Sequence, residues 1–219
     1  MFQTPYNAAP FSCFAPTDYL PAIQKAIAKN LKEIDTIAHN PEVPTYMNTI
    51  QPLAYVGLEL DRLTAMFFNL NSAETNETLQ AEALRISPLL TDYSNDIRLN
   101  EALFKRVETV YKTRNYLSAS PEQHTLLEKT YKSFTHNGAN LSSNDKEHLR
   151  RIDKELARLK LKFSENVLAE TQHYQWVITH KEELSGLPDF VLEMLATEAK
   201  KHHKEGWVIT LDLPVYTAV

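Results

Sequence analysis

Cysteine, glycine and long apolar runs are all scarce in this chain of 219 residues. Cys13 is the sole cysteine, so no disulfide can close within the chain, and nothing around it reads as a nucleophile site. It is expected to be a small apolar filler. Four glycines are too few for the tight turns of an all-β sandwich. No apolar stretch approaches the roughly 18–20 residues that span a bilayer. Met1-Phe2-Gln3-Thr4-Pro5-Tyr6 lacks both the basic and the apolar segment of a secretory leader. The compartment expected is cytoplasmic, with a periplasmic one left open. There is no block of one charge: 28 acids and 23 bases are interspersed, for a net charge of −5. That composition implies neither nucleic acid nor membrane as partner. A nucleophile elbow, a P-loop, a dinucleotide fingerprint and H-E-x-x-H are also absent.

What is present is helical periodicity over a 43% hydrophobic composition, enough for a substantial core. Residues 1–15 hold two prolines and three phenylalanines, and read as an extended arm with its aromatics laid on the body. A first helix is expected over 16–38, with Ile23, Ile27, Leu31 and Ile34 inward. Asn40-Pro41 ends it, because proline disfavours helix in the residue before it. A second helix is expected over 45–70, lined by Met47, Ile50, Leu53 or Ala54, Gly57, Leu60 or Asp61, Thr64 and Phe67 or Phe68. A third runs over 75–93, with Leu79, Ala83, Ile86 and Leu90 inward, a break at Asn95-Asp96 and a kink at Pro88. A fourth covers 100–117, with Leu103, Phe104, Val107, Val110 and Tyr111 inward. Ser120-Pro121 opens a fifth that Asn137-Gly138 closes.

The strongest helix signal lies at 144–171, with Asn144 and Glu147 at capping-box spacing. Leu149, Ile152, Leu156, Leu159 and Phe163 step by three and four, a heptad-like stripe on a rod of roughly 40 Å. Two strands are expected at 174–179 and 207–213, each carrying a Trp-Val-Ile-Thr phrase, around a helix at 188–203. The fold class is therefore mainly α, with a small two-stranded β element near the C-terminus. No linker composition marks a boundary within residues 1–219.

Candidate chemistry is sparse. Glu170 and His173 have the spacing of a di-iron carboxylate motif, but that motif is needed on two helices with a glutamate from two more. Asp145 and His148 echo it in the first turn of a helix. His202 and His203, before Glu205, point about 100° apart on a helix and cannot share a metal as zincin histidines do. Lys200-Lys201-His202-His203-Lys204 reads as a cationic helix C-terminus. Phe67, Phe68 and Tyr111 read as core. The residues indicate no catalytic group, no metal ligand and no identifiable substrate-binding residue.

A set of phrases carries more information. Asn40-Pro41, Pro44-Thr45-Tyr46 and Asn48-Thr49-Ile50 are followed by Phe67-Phe68-Asn69-Leu70 and Thr75-Asn76-Glu77-Thr78-Leu79-Gln80. Then come Asn95-Asp96-Ile97-Arg98-Leu99-Asn100 and Leu103-Phe104-Lys105-Arg106-Val107. In this order and spacing the chain resembles the amino-terminal region of peptidyl-dipeptidases of the Dcp type, in the thimet-oligopeptidase family of zinc peptidases. Thr75-Asn76 and the run from Asn95 to Arg106 favour the Dcp branch over oligopeptidase A. The resemblance implies a two-lobed helical protein enclosing a channel for short peptides, with residues 1–219 as the non-catalytic wall of the amino-terminal lobe. It implies zinc held by H-E-x-x-H and a downstream glutamate in a catalytic domain absent from this chain. No cofactor is expected within residues 1–219. The expected partners are short peptides and the catalytic lobe of the same polypeptide, which the family's sequence continues into beyond Val219. The chain alone is expected to be inactive and, with that lobe missing, to expose apolar surface and self-associate. The alternative is a stand-alone helical module that binds peptide or protein without catalysis.

Overall fold

The computed structural model describes residues 4–219. It is mainly helical, with one two-stranded antiparallel sheet near the C-terminus. The chain gathers into two compact units, Met1–Arg158 and Leu159–Val219. Their division falls inside a continuous helix, which is why no linker composition marks it in the sequence.

In the first unit the arm is not extended. It forms single 3-10 turns at Pro5–Asn7 and Phe11–Cys13. Its aromatics divide: Tyr6 is fully exposed, whereas Phe14 stacks on Tyr19 at 5.3 Å. Phe2 lies outside the described residues. Helix α1 spans Tyr19–Ala38 and buries Ile23, Ala26, Asn30, Ile34 and Ile37. Ile23 and Ile34 are buried as expected, while Ala26 and Asn30 take the middle of the line and leave Ile27 and Leu31 half-buried.

The expected helix over 45–70 is three pieces. Thr45 caps a π-helical turn at Tyr46–Ile50, followed by the short α2 (Gln51–Tyr55) and by α3 (Leu58–Ala73). Gly57 stands between α2 and α3 at φ +98°, a conformation open to glycine and strained for other residues. That left-handed residue stops the helix. Met47, expected inward, is exposed.

Helix α4 spans Glu77–Arg98, capped by the Asn76 side chain, which accepts the Leu79 N–H at 2.9 Å. It runs through the expected break: Asn95 is buried inside it, and the chain turns only at Leu99. Asn100 then caps α5 (Glu101–Lys112) by accepting the Leu103 N–H at 2.9 Å. Helix α6 (Pro121–His136) has the capping box of Ser120 with Gln123, and Gly138 follows at φ +91°. The core of this unit joins Ile34 and Ile37 with Tyr46, Ile50, Leu103, Val107, Val110, Leu127 and Phe134. Beside it, Tyr111 stacks on Tyr131 at 3.9 Å.

Helix α7 spans Ser143–His173. Its cap is Ser142 rather than Asn144: the Ser142 hydroxyl accepts the Asp145 N–H at 3.2 Å.

In the second unit, β1 (Trp176–Ile178) and β2 (Trp207–Ile209) pair with Trp176 opposite Ile209 and Ile178 opposite Trp207. Both strands are shorter than expected, and Leu213 opens a final helix, α9 (Leu213–Ala218), instead of ending β2. Helix α8 (Asp189–Lys201) lies between the strands in sequence and supplies Val191 and Leu195 to a core with Ile178, Leu184, Ile209 and Val215.

Candidate functional site

Arg106 is a buried charged side chain of the first unit that ties α5 to a distant loop. It sits among Leu103, Val107 and Val110 on the inner face of α5 and is buried with them. Its Nη1 donates to the carbonyls of Asn40 at 2.6 Å and Glu42 at 3.0 Å, and its Nη2 to Asn48 Oδ1 at 3.1 Å. Asn48 in turn accepts the Thr45 N–H at 2.8 Å and donates from Nδ2 to the Val43 carbonyl at 3.0 Å. Phrases that lie more than fifty residues apart in sequence thus meet at one guanidinium. A planar, permanently charged fork suits this task, because it satisfies several carbonyls that no helix or strand satisfies. The node holds the loop 40–48 in shape. It contains no paired acid and base and no nucleophile, so its work is positional.

A cleft of about 410 Å³ lies in the same unit, between α1 and the start of α3. Lys29, Asn30 and Glu33 line one side; Tyr55, Gly57, Leu58, Glu59, Arg62 and Leu63 line the other. Lys29 Nζ meets Glu59 Oε2 at 3.1 Å across it. That contact raises the lysine above its usual range and lowers the glutamate, each chiefly through their shared hydrogen bond. Asn30, buried on α1, donates from Nδ2 to the Tyr93 hydroxyl at 3.2 Å. Burial raises Tyr93 above the ordinary phenol range, against the smaller downward pull of that hydrogen bond. The cleft offers a guanidinium, an ion pair and exposed Tyr55 and Leu58. Such a surface can bind; it holds no arranged general acid, base or nucleophile. A shallower depression of about 330 Å³ is lined by Leu53, Ile97, Arg98, Lys129, Thr130, Ser133 and Phe134.

The residues weighed as chemistry are scattered. Cys13 is exposed, not a filler, because its 3-10 turn buries nothing. Glu170 and His173 are exposed near the end of α7, where His173 Nδ1 lies 2.6 Å from the Ala169 carbonyl. Asp145 is tied to the Ser142 cap, and His148 stands 3.4 Å from Arg151. The cationic run at 200–204 closes α8, as expected: Glu198 binds Lys201 at 2.7 Å and lies 3.4 Å from His202. His202 also meets Gln175 Nε2 at 3.0 Å, while His203 turns to φ +55°. Phe67 is fully buried and Tyr111 half-buried in its stack. Among the described residues, no three His, Cys, Asp or Glu side chains are grouped so as to hold a metal ion. The donor set for the zinc that the resemblance implies is therefore not formed by these residues.

Asn30 and Arg106 are the polar residues that sequence reasoning underweighted. Both occupy apolar-stripe positions of amphipathic helices, and a polar residue there is the visible signal of a buried partner.

Dipeptidyl carboxypeptidase of Escherichia coli (strain K12) is 33% identical to the chain over 208 residues, 94% of this chain and 30% of its own length. The homologues of this chain are peptidases. Oligopeptidase A of the same organism is 27% identical over 216 residues, 99% of this chain and 32% of its own length. The organellar oligopeptidase A of Arabidopsis thaliana is 26% identical, with 98% of this chain covered and 28% of its own length. The similarity to the thimet-oligopeptidase family thus runs along nearly the whole chain. The chain spans about a third of the length of these curated relatives. No protein-family model matches it. Among the described residues, no helix is long and apolar enough to cross a membrane.

Proposed function

We propose that these residues form the amino-terminal, non-catalytic lobe of a longer zinc peptidase that removes dipeptides from the C-termini of short peptides. The lobe shapes the channel that admits the peptide, and residues outside these 219 carry the metal and the chemistry. The observation that carries this reading is similarity to dipeptidyl carboxypeptidase over 94% of the chain. The partners are then short peptides and the catalytic lobe of the same polypeptide, in the cytoplasm.

The decisive experiment assays release of C-terminal dipeptides from an unblocked oligopeptide with added zinc. This chain is compared with a longer polypeptide that continues into H-E-x-x-H. Activity confined to the longer protein is the expected result. Release of dipeptides by the 219 residues alone would overturn the proposal.

A second reading, a peptide- or protein-binding module without catalysis, is favoured by the 410 Å³ cleft with Arg62 on its rim. Saturable binding of oligopeptides that Arg62→Ala abolishes, with no longer polypeptide made, would support it.

A further inference from the structure

The cleft between α1 and the start of α3 carries two opposite charges on each wall. Lys29 and Glu33 stand a turn apart on α1, and Glu59 and Arg62 stand a turn apart on α3. Residues three and four apart share one face of a helix, so each wall turns both of its charges to the same side. One pair across the cleft is made: Lys29 Nζ meets Glu59 Oε2 at 3.1 Å. The other is left open. Glu33 and Arg62 line the same space from opposite walls without forming an ion pair, and neither finds one elsewhere among the described residues.

The floor between these charges is a fixed polar contact. Asn30 lies on α1 between Lys29 and Glu33 and is only 3% exposed. Its Nδ2 donates to the Tyr93 hydroxyl, on α4, at 3.2 Å. Gly57 lies over that pair: a methyl group on it would stand 3.4 Å from the Tyr93 hydroxyl oxygen and 3.8 Å from Asn30 Nδ2. Tyr55 and Leu58 flank Gly57 with their side chains exposed, which gives the cleft an apolar rim. Sites for small molecules combine such an apolar lining with a few placed polar groups, and about 410 Å³ lies within their usual range of volume.

A carboxylate and a guanidinium held apart across a cleft match a ligand that carries both charges with a spacer between them. The four lining charges sum to zero, so a net anion meets Glu33 and Glu59 as well as Lys29 and Arg62, and a net cation fares no better. We propose that this cleft binds a dipeptide with both ends free, its ammonium group on Glu33, its carboxylate on Arg62 and an apolar side chain against Tyr55 and Leu58. The planar fork of a guanidinium suits a carboxylate, which can take two parallel hydrogen bonds from it. A free amino acid bears both charges on one carbon; a second residue adds a Cα step of about 3.8 Å and lets the two ends reach opposite walls. The inference rests on the reading that this cleft binds peptides, and it holds whether or not a longer polypeptide hydrolyses them.

Titration of the isotope-labelled 219-residue chain with alanyl-leucine, followed by backbone amide NMR, tests this. Saturable shifts are expected at Asn30, Gly57 and Glu59, with a dissociation constant on the order of 1 mM for so small a ligand. N-acetyl-alanyl-leucine and alanyl-leucinamide should each bind about threefold more weakly or worse, since each lacks one charge contact. Glu33→Gln and Arg62→Gln should weaken the free dipeptide to the same degree. Both side chains are exposed, so the fold should be kept, which circular dichroism checks. Losses that remove the same contact should not add: acetylation should cost nothing further in Glu33→Gln, and amidation nothing further in Arg62→Gln. No saturable shift at these amides, equal binding of the blocked forms, fully additive losses, or tighter binding of free leucine would each overturn the proposal. An unblocked oligopeptide that shifts these amides where alanyl-leucine does not would also overturn it, while leaving the peptide-binding reading of the cleft in place.

Discussion

Arg106 is the residue on which the first unit's loop geometry turns. Its removal leaves the Asn40 and Glu42 carbonyls without their side-chain donor, while Asn48 Oδ1 keeps the Thr45 N–H. Arg106→Leu should destabilise the first unit by about 3 kcal/mol, given the cost of leaving charge-assisted acceptors unpaired. Urea unfolding monitored by circular dichroism measures it, and an unchanged midpoint would refute the assignment. Arg106→Lys should recover only part of the loss, because an ammonium cannot match the spread of three acceptors. Tyr93 offers a second test at this scale. Burial lifts its folded pKa above the unfolded value near 10, so its contribution is complete below that value and is lost as pH rises through the folded pKa. Of the ten tyrosines, Tyr93 and Tyr19, which burial also raises, should ionise last in an alkaline absorbance titration. Tyr93→Phe should remove one late-titrating phenol. A titration in which Tyr93→Phe removes no late-ionising phenol would contradict the burial argument.

At the scale of elements, glycine decides where helices stop and how tightly the strands approach. A methyl group on Gly206 would run into the Ile178 carbonyl across the β1–β2 pair, and the residue sits at φ +85°. Gly186 has a similar positive φ of +98° but open space around it. Gly186→Ala should therefore cost about 1 kcal/mol from backbone strain alone. Gly206→Ala should cost clearly more, and thermal melting of the pair of variants compares them directly. Equal losses would mean that the sheet tolerates the displacement. The same scale explains why the helix expected over 45–70 is broken and why α4 is longer than expected. Gly57 adopts a left-handed conformation that ends α2, whereas Asn95 finds a place inside α4 because its helix backbone bonds are complete. In sequence Asn95 read as a breaker and Gly57 as an inward helical position; their surroundings reverse those roles.

For the whole molecule, the scattered donor residues carry a direct consequence for metal. A structural zinc site would couple binding to folding and raise the melting temperature. Stoichiometric zinc, or a chelator, should leave the thermal midpoint of the 219-residue chain unchanged, measured by calorimetry. A rise of several degrees with zinc would reveal a site that side-chain placement does not suggest. The similarity to peptidases covers nearly all of this chain but about a third of theirs. Activity is therefore a property to be sought in the longer protein, and stability and association are the properties to be measured in this one.

The sequence by itself determined the class of fold, the existence of the principal helices and of both strands, and the resemblance that points to peptidases. Those depend on local periodicity, on caps such as Ser120 and Asn100, and on the order of short phrases, all of which are written along the chain. Tertiary structure alone decided that Asn30 and Arg106 would be buried, since each needs a partner dozens of residues away. It decided too that α7 would turn its charges inward and leave Ile152, Leu156, Leu159 and Phe163 outside. Periodicity identifies an apolar face, but which face meets the body depends on the acids that α4 and α5 present to Lys146, Arg150 and Lys154.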